Sequence, residues 1–220
     1  MNAPASMKLH DGSNASAIVP GIVCVTLAAM MYAALGWPII VLVVPMLAAY
    51  PFYLLTFHRH LPSPSAILPL YLLAIAWQFI HMAEEFATDF QYYFPLVNGG
   101  AHSSLAPGTG WGDSLFITFN MIANAGFVIG ALGIVLQHRP PTFLICFFTF
   151  GMLWNGFGHP ALAYLYHDVY GSSWYFPGLL TSPGHLLLSL ALVARIWRST
   201  RAHAAAHRNT SRGRLQGAQP

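Results

Sequence analysis

The chain has 220 residues, 56% of them hydrophobic and 7% charged, with a mean hydropathy of +0.55. A soluble domain carries about 25% charged residues, so this composition excludes an ordinary water-facing surface. The pI near 9.0 could suggest a nucleic-acid partner, but six of the nine Lys and Arg lie in or next to the C-terminal tail, which reads as a topology signal and an anionic-lipid contact instead.

Residues 1–16 are polar and carry one Lys. No convincing cleavage site follows the first apolar run, which is therefore read as a retained helix. Six apolar segments follow in order: Ala17–Leu35, Pro38–Phe57, Ala66–Phe86, Ser114–Gln137, Thr142–Tyr166 and Pro177–Trp197. Each approaches the ~20 residues that a helix needs to cross a bilayer, and the runs are too long and continuous for a barrel. "LGWP" separates the first two segments, "HRHLPSPS" the next two and "QHRPP" the fourth and fifth. The longest connection, residues 91–112, is rich in Gly, Pro, Ser and aromatics, and suits a lid or an irregular loop at the lipid interface. Cys24 and Cys146 fall in apolar runs and read as free, buried thiols. The predicted organisation is a polar tail (1–16), a transmembrane hairpin (17–60), a four-helix membrane domain (66–198) and a disordered basic tail (199–220).

The cations fix a predicted orientation. Lys8 precedes the first segment, Arg59 lies between the second and third, and Arg139 between the fourth and fifth. The remaining six stand at or after the end of the sixth. With six spans all of these regions share one side, whereas the opposite loops carry Asp89, Asp113 and Asp168. The expected fold is thus an all-α, polytopic integral membrane bundle of six transmembrane helices, with both termini cytoplasmic in the plasma (inner) membrane.

The polar residues inside the spans gather in small groups. Gln78, His81, Glu84 and Glu85 lie in the third span, and Asn120 and Asn124 in the fourth. Asn155 and His159 lie in the fifth, and Thr181, Ser182 and His185 in the sixth. Members of a group are three or four residues apart, which places them on one helix face. With a rise of about 1.5 Å per residue, His81, Asn120, His159 and His185 all fall roughly 5–12 Å below the outer edge of a ~30 Å core. Asn120 and Asn155 also suit interhelical hydrogen bonding, and Thr181 and Ser182 suit bonding back to their own helix. Adjacent buried acids have no such simple use. Each costs about 2.5–3.5 kcal/mol on insertion scales, and such residues mark functional sites.

Three His and a carboxylate pair at one depth predict a metal site, for which imidazole and carboxylate suit Zn or Fe. His81, Glu85, His159 and His185 are the expected ligands. Adjacent Glu residues point about 100° apart on a helix, so one ligates while the other acts as a general base or orients a His. Glu84, Glu85 and Asn155 are the candidate catalytic residues. The same residues could work without a metal, a Glu–His pair moving protons on an apolar substrate. Trp77, Trp154, Trp174 and Tyr175 could wall the pocket.

His81-Met82-Ala83-Glu84-Glu85, then Asn155-Gly156-Phe157-Gly158-His159, then Tyr175-Phe176-Pro177-Gly178 and finally His185, resembles the HXXEE-domain family of membrane proteins. The resemblance covers residues 66–197 and implies His81, Glu84, Glu85, Asn155, His159 and His185 as the functional set. His81 and Glu85 are also similar to the HxxxE pattern of the sterol-isomerase and sigma-2-receptor superfamily, although spans four to six lack the later acids of that group. The expected function is a metal-dependent, hydrolase-like membrane enzyme acting on a lipid or other apolar molecule, with no nucleic-acid partner. A metal-free isomerase or lipid-binding protein is the second reading. A proton-coupled transporter is third, because no inverted repeat or pair of broken helices is visible.

Overall fold

Proline and hydrogen-bonding side chains punctuate the helices. The computed structural model describes residues 14–35, 40–90, 111–167 and 174–216, and among these the chain forms six long helices. They are α1 (Ala15–Leu35), α2 (Ile40–Leu55), α3 (Pro64–Ala87), α4 (Trp111–Val135), α5 (Arg139–Leu165) and α6 (Ser182–Gln216). Helix α3 starts on Pro64 after extended Ser63, and α5 starts on Arg139-Pro140-Pro141 after extended His138. Proline is tolerated there because the first-turn N–H groups have no intrahelical acceptor. Helix α3 ends where the Thr88 hydroxyl and N–H both donate to the Glu84 carbonyl, at 2.7 and 3.0 Å. Helix α4 ends at Val135, two residues before Gln137, whose φ is 53° and whose side-chain amide donates to the Ile134 carbonyl at 2.8 Å.

Helix α5 is the central post. It packs against α1, α2, α4 and α6, while α3 packs against α4 and α6. The α5–α6 approach is close because position 156 has no side chain: a Cβ on Gly156 would stand 2.8 Å from the Leu186 backbone nitrogen. At one end of the bundle the core is aromatic and aliphatic, with Tyr53, Phe57, Ile67, Tyr71, Ile145 and Ile196 fully buried. Tyr71 stands perpendicular to Phe148 at 5.4 Å and donates its hydroxyl to the Phe127 carbonyl at 2.9 Å, tying α3 to α4.

In the second half of α3 sidedness is inverted relative to a water-soluble helix. On α3 the exposed residues include Leu72, Leu73, Phe79 and Ile80, each more than half exposed, while Gln78, His81 and Glu85 are buried. That is the pattern expected of a helix with an apolar solvent outside and a polar interior. Helices α3 and α5 are long and apolar enough to cross a membrane by length and composition.

Each predicted apolar segment falls within or overlaps a helix, with displaced ends. The last helix starts at Ser182 and not at Pro177, because Gly178 takes a φ of +86° and residues 177–181 form turns. It then continues to Gln216, so the tail expected to be disordered from residue 199 is helical through that point. Its "RAHAAAHR" stretch is rich in Ala and Arg, strong helix formers that need no apolar periodicity. Cys146 is buried, as expected, whereas Cys24 is only partly so. Of the suggested lid over residues 91–112, positions 91–110 lie outside the described residues and the last two already belong to α4.

Candidate metal centre

Helix periodicity puts His81 and Glu85 on one face of α3, one turn apart. Their side chains meet there, with His81 Nε2 3.2 Å from Glu85 Oε1. His159, near the end of α5, places its own Nε2 3.3 Å from the same Oε1. All three residues are buried, and each offers a ligand atom within 4.8 Å of the others. His81 Nε2 makes no aligned hydrogen bond despite its short distance to the carboxylate. Two imidazole nitrogens therefore crowd one anionic oxygen.

His185, at the first turn of α6, is fully buried with its ring 4.0 Å from that of His81. Neither of its nitrogens has a hydrogen-bond partner, nor has His159 Nδ1. Buried polar atoms without partners are uncommon and costly, and here four of them, counting His81 Nε2, belong to three neighbouring imidazoles.

The two glutamates divide. Glu85 faces the imidazoles, whereas half-buried Glu84 faces the turn that precedes α6. Its Oε1 accepts from the Tyr175 hydroxyl at 2.8 Å and the Leu180 N–H at 2.9 Å. Its Oε2 accepts from the Thr181 N–H at 2.9 Å and the Thr181 hydroxyl at 2.6 Å. Four donors and no acceptor describe an ionised carboxylate. The Thr181 Oγ1 also lies 2.6 Å from His81 Nδ1. The Trp77 indole donates to the Thr181 carbonyl at 3.0 Å, so α3 grips this turn at two points.

The turn closes over the cluster. A Cβ at Gly178 would stand 2.6 Å from His159 Cε1 and 2.8 Å from His81 Cε1, and its φ of +86° also disfavours a side chain. Phe176 packs near His159 at 5.8 Å and Phe90 at 5.7 Å, and the two phenyl rings also meet edge to face. His159 reaches a groove of about 220 Å³ whose lining includes Phe90, Trp154, Asn155 and Phe157. The cluster therefore has one face toward an apolar groove on the surface of α5.

Apart from Glu84 on its turn, the sequence-predicted residues separate into three sets. His81, Glu85 and His159 converge, with the His185 ring tilted against that of His81. Asn155 lies on the groove wall one turn before His159. Asn124 of α4 donates instead to the Met82 sulfur at 2.9 Å and to the Asn120 carbonyl at 2.8 Å. Sequence reasoning missed Thr181 as a link and Gly178 as a lid over two rings. The signal for both was the acid next to Glu85, which had to face something other than the His cluster.

No family model matches the chain, and no curated protein or solved structure is matched either.

Proposed function

We propose that the chain is a six-span integral membrane enzyme whose His81, Glu85 and His159 hold a divalent metal ion such as Zn or Fe. One observation carries this reading: a single buried carboxylate oxygen lies within 3.3 Å of two imidazole nitrogens. Nitrogen lone pairs and an anionic oxygen repel at that distance, so the cluster must hold a cation or at least one proton, which His159 Nε2 is placed to donate to Glu85. Imidazole and carboxylate around a buried point are the donor set of catalytic Zn and non-haem Fe sites. His185 is the fourth candidate ligand, with two unpartnered nitrogens beside the cluster. A bound dication supplies Lewis acidity and activates water for hydrolysis. The chain's own residues would orient the ligands, exclude bulk water behind Phe176 and admit an apolar substrate along the groove beside Asn155. A lipid or another apolar molecule fits that groove, and the ordered motifs support kinship with the HXXEE-domain family. The cations flanking alternate segments support cytoplasmic termini and a site toward the outer face.

Metal analysis of the full chain purified in detergent tests the reading. The expected result is stoichiometric Zn or Fe, lost on Ala substitution of His81, Glu85 or His159 and kept on Ala substitution of His58 or His138. Metal-free wild-type protein that does not take up added Zn would overturn it. The second reading is then metal-free acid–base chemistry of the isomerase kind, favoured by the same distances, which suit a protonated imidazole paired with Glu85. Orientation has its own test. Cysteine at exposed Trp174 should react with an impermeant thiol reagent outside intact cells, and cysteine at exposed Ser63 only after the cells are opened.

A further inference from the structure

Thr181 stands between two groups that both want its hydroxyl. Glu84 Oε2 lies 2.6 Å on one side and His81 Nδ1 2.6 Å on the other. A hydroxyl has one proton and can accept at its lone pairs. Glu84, already holding three other donors, can only accept. A 2.6 Å separation is that of an O–H donating to a carboxylate. The alternative acceptor, the Gly178 carbonyl, is 3.4 Å away and too long to compete. The Thr181 proton therefore belongs to Glu84, and its oxygen has only lone pairs left for His81. His81 must supply the proton of that second bond from Nδ1.

We propose that Thr181, held by Glu84, is the positioning residue that fixes the proton of His81 on Nδ1 and so directs Nε2 toward Glu85 and His159. This rests on the metal reading for its use, since a bare Nε2 is what a cation needs, but not for its geometry. It assigns the two adjacent acids different work. Glu85 meets the imidazoles directly; Glu84 acts on His81 through Thr181 and anchors the turn that carries Gly178. The arrangement is a carboxylate–hydroxyl–imidazole chain, in which an outer group sets the tautomer and ring orientation of an inner one. Thr181 is anchored independently by its N–H to Glu84 and its carbonyl to Trp77, so the hydroxyl can be removed without freeing the turn.

Nitrogen-15 NMR of labelled histidine in the full chain, in detergent micelles, reads the proton directly, with His81 identified by the signal that His81→Gln removes. In metal-free wild type and in Thr181→Ser, Nδ1 of His81 should carry a hydrogen. In Thr181→Val a large fraction should shift that hydrogen to Nε2, where Glu85 can accept it. Zn affinity should fall about 10–100-fold in Thr181→Val, the usual loss for an outer-shell partner, and return in Thr181→Ser. If Thr181→Val does not fold, Glu84→Gln serves instead: its amide has one acceptor oxygen where Glu84 uses two, so the same proton shift should follow. A His81 whose Nδ1 stays protonated in Thr181→Val, or a folded Thr181→Ser that behaves like Thr181→Val, would overturn the proposal. Wild type that fails to bind Zn but shows the Thr181-dependent proton on Nδ1 would sink the metal reading and leave this one standing.

Discussion

Helices α3, α5 and α6 each pass through two different interiors. At one end they bury Ile67, Tyr71, Ile145, Phe148 and Ile196, and at the other His81, Glu85, His159 and His185. Both ends are closely packed, but for opposite reasons. The first satisfies its few polar atoms locally: the Tyr71 hydroxyl finds the Phe127 carbonyl, and Thr149 bonds back to Ile145 at 2.7 Å. The second leaves four imidazole nitrogens without partners while giving one glutamate four donors. A bundle built only for stability would resemble the first end throughout. The difference between the ends marks the candidate site without reference to any relative.

The sharpest way to break the comparison is to damage each end separately. Glu85→Ala should abolish metal retention and activity, since it removes the oxygen that both imidazoles share. Combining it with His159→Ala should add almost nothing, because residues acting as a unit are non-additive. Phe148→Ala at the other end should cost roughly 3–5 kcal/mol of stability, measured by unfolding in mixed micelles, while any protein that remains folded keeps its metal. A Phe148→Ala protein that is stable yet metal-free would show that the two ends are one unit.

Smaller effects sharpen the contrast. Gly178→Ala forces a left-handed φ on a residue with a Cβ and drives that Cβ toward both His rings. It should cost about 1–3 kcal/mol and lower metal affinity, read by melting and by Zn titration. His185→Phe should go the other way for stability. Leaving a buried polar group unpaired costs about 1–3 kcal/mol, and His185 has two unpaired nitrogens. Replacing it with a ring of similar shape should leave the metal-free protein as stable or stabilise it by about 1 kcal/mol. If His185 is a ligand, the same change should reduce metal affinity. A loss of stability in the metal-free protein would contradict the idea that this ring is carried for function.

Much of this was legible in the sequence. Three- and four-residue spacing put His81 with Glu85 and Asn155 with His159 on their helix faces, and depth matching aligned α3, α5 and α6. Asn124 of α4, grouped with Asn120 by spacing, turns instead to Met82, because depth and spacing fix a level along a helix and not its rotation about the axis. The start of α6 was misread for a different reason. "YFPGLLT" is apolar enough to continue a span, yet Gly178 at positive φ makes it a turn whose backbone N–H groups serve Glu84. Hydropathy counts side chains and is blind to which backbone groups are left free. The extension of α6 to Gln216 was missed because apolar periodicity was sought in a segment that has helical propensity instead.

The smallest expected effect tests how firmly that turn is held. Tyr175 lies outside the helices and donates one of the four hydrogen bonds to Glu84. Burial, and then the neighbouring Glu84 carboxylate, push its phenol above its ordinary value of 10.0. The folded protein thus holds the Tyr175 proton more tightly than the unfolded chain does. A raised value of this kind contributes stability that is fully present below the unfolded pKa near ~10 and is lost as pH rises through the folded value. Tyr175→Phe removes one charge-assisted donor at a partly exposed position, so it should cost about 1 kcal/mol or less at neutral pH. Three donors remain on Glu84, so His81, Thr181 and metal affinity should be nearly unaffected. The stability gap between wild type and Tyr175→Phe should be flat through neutral pH and close above about pH 10, where the wild-type phenol ionises. A gap that widens with rising pH would mean that Tyr175 ionises more easily in the fold than outside it, and would contradict an ionised Glu84 beside it.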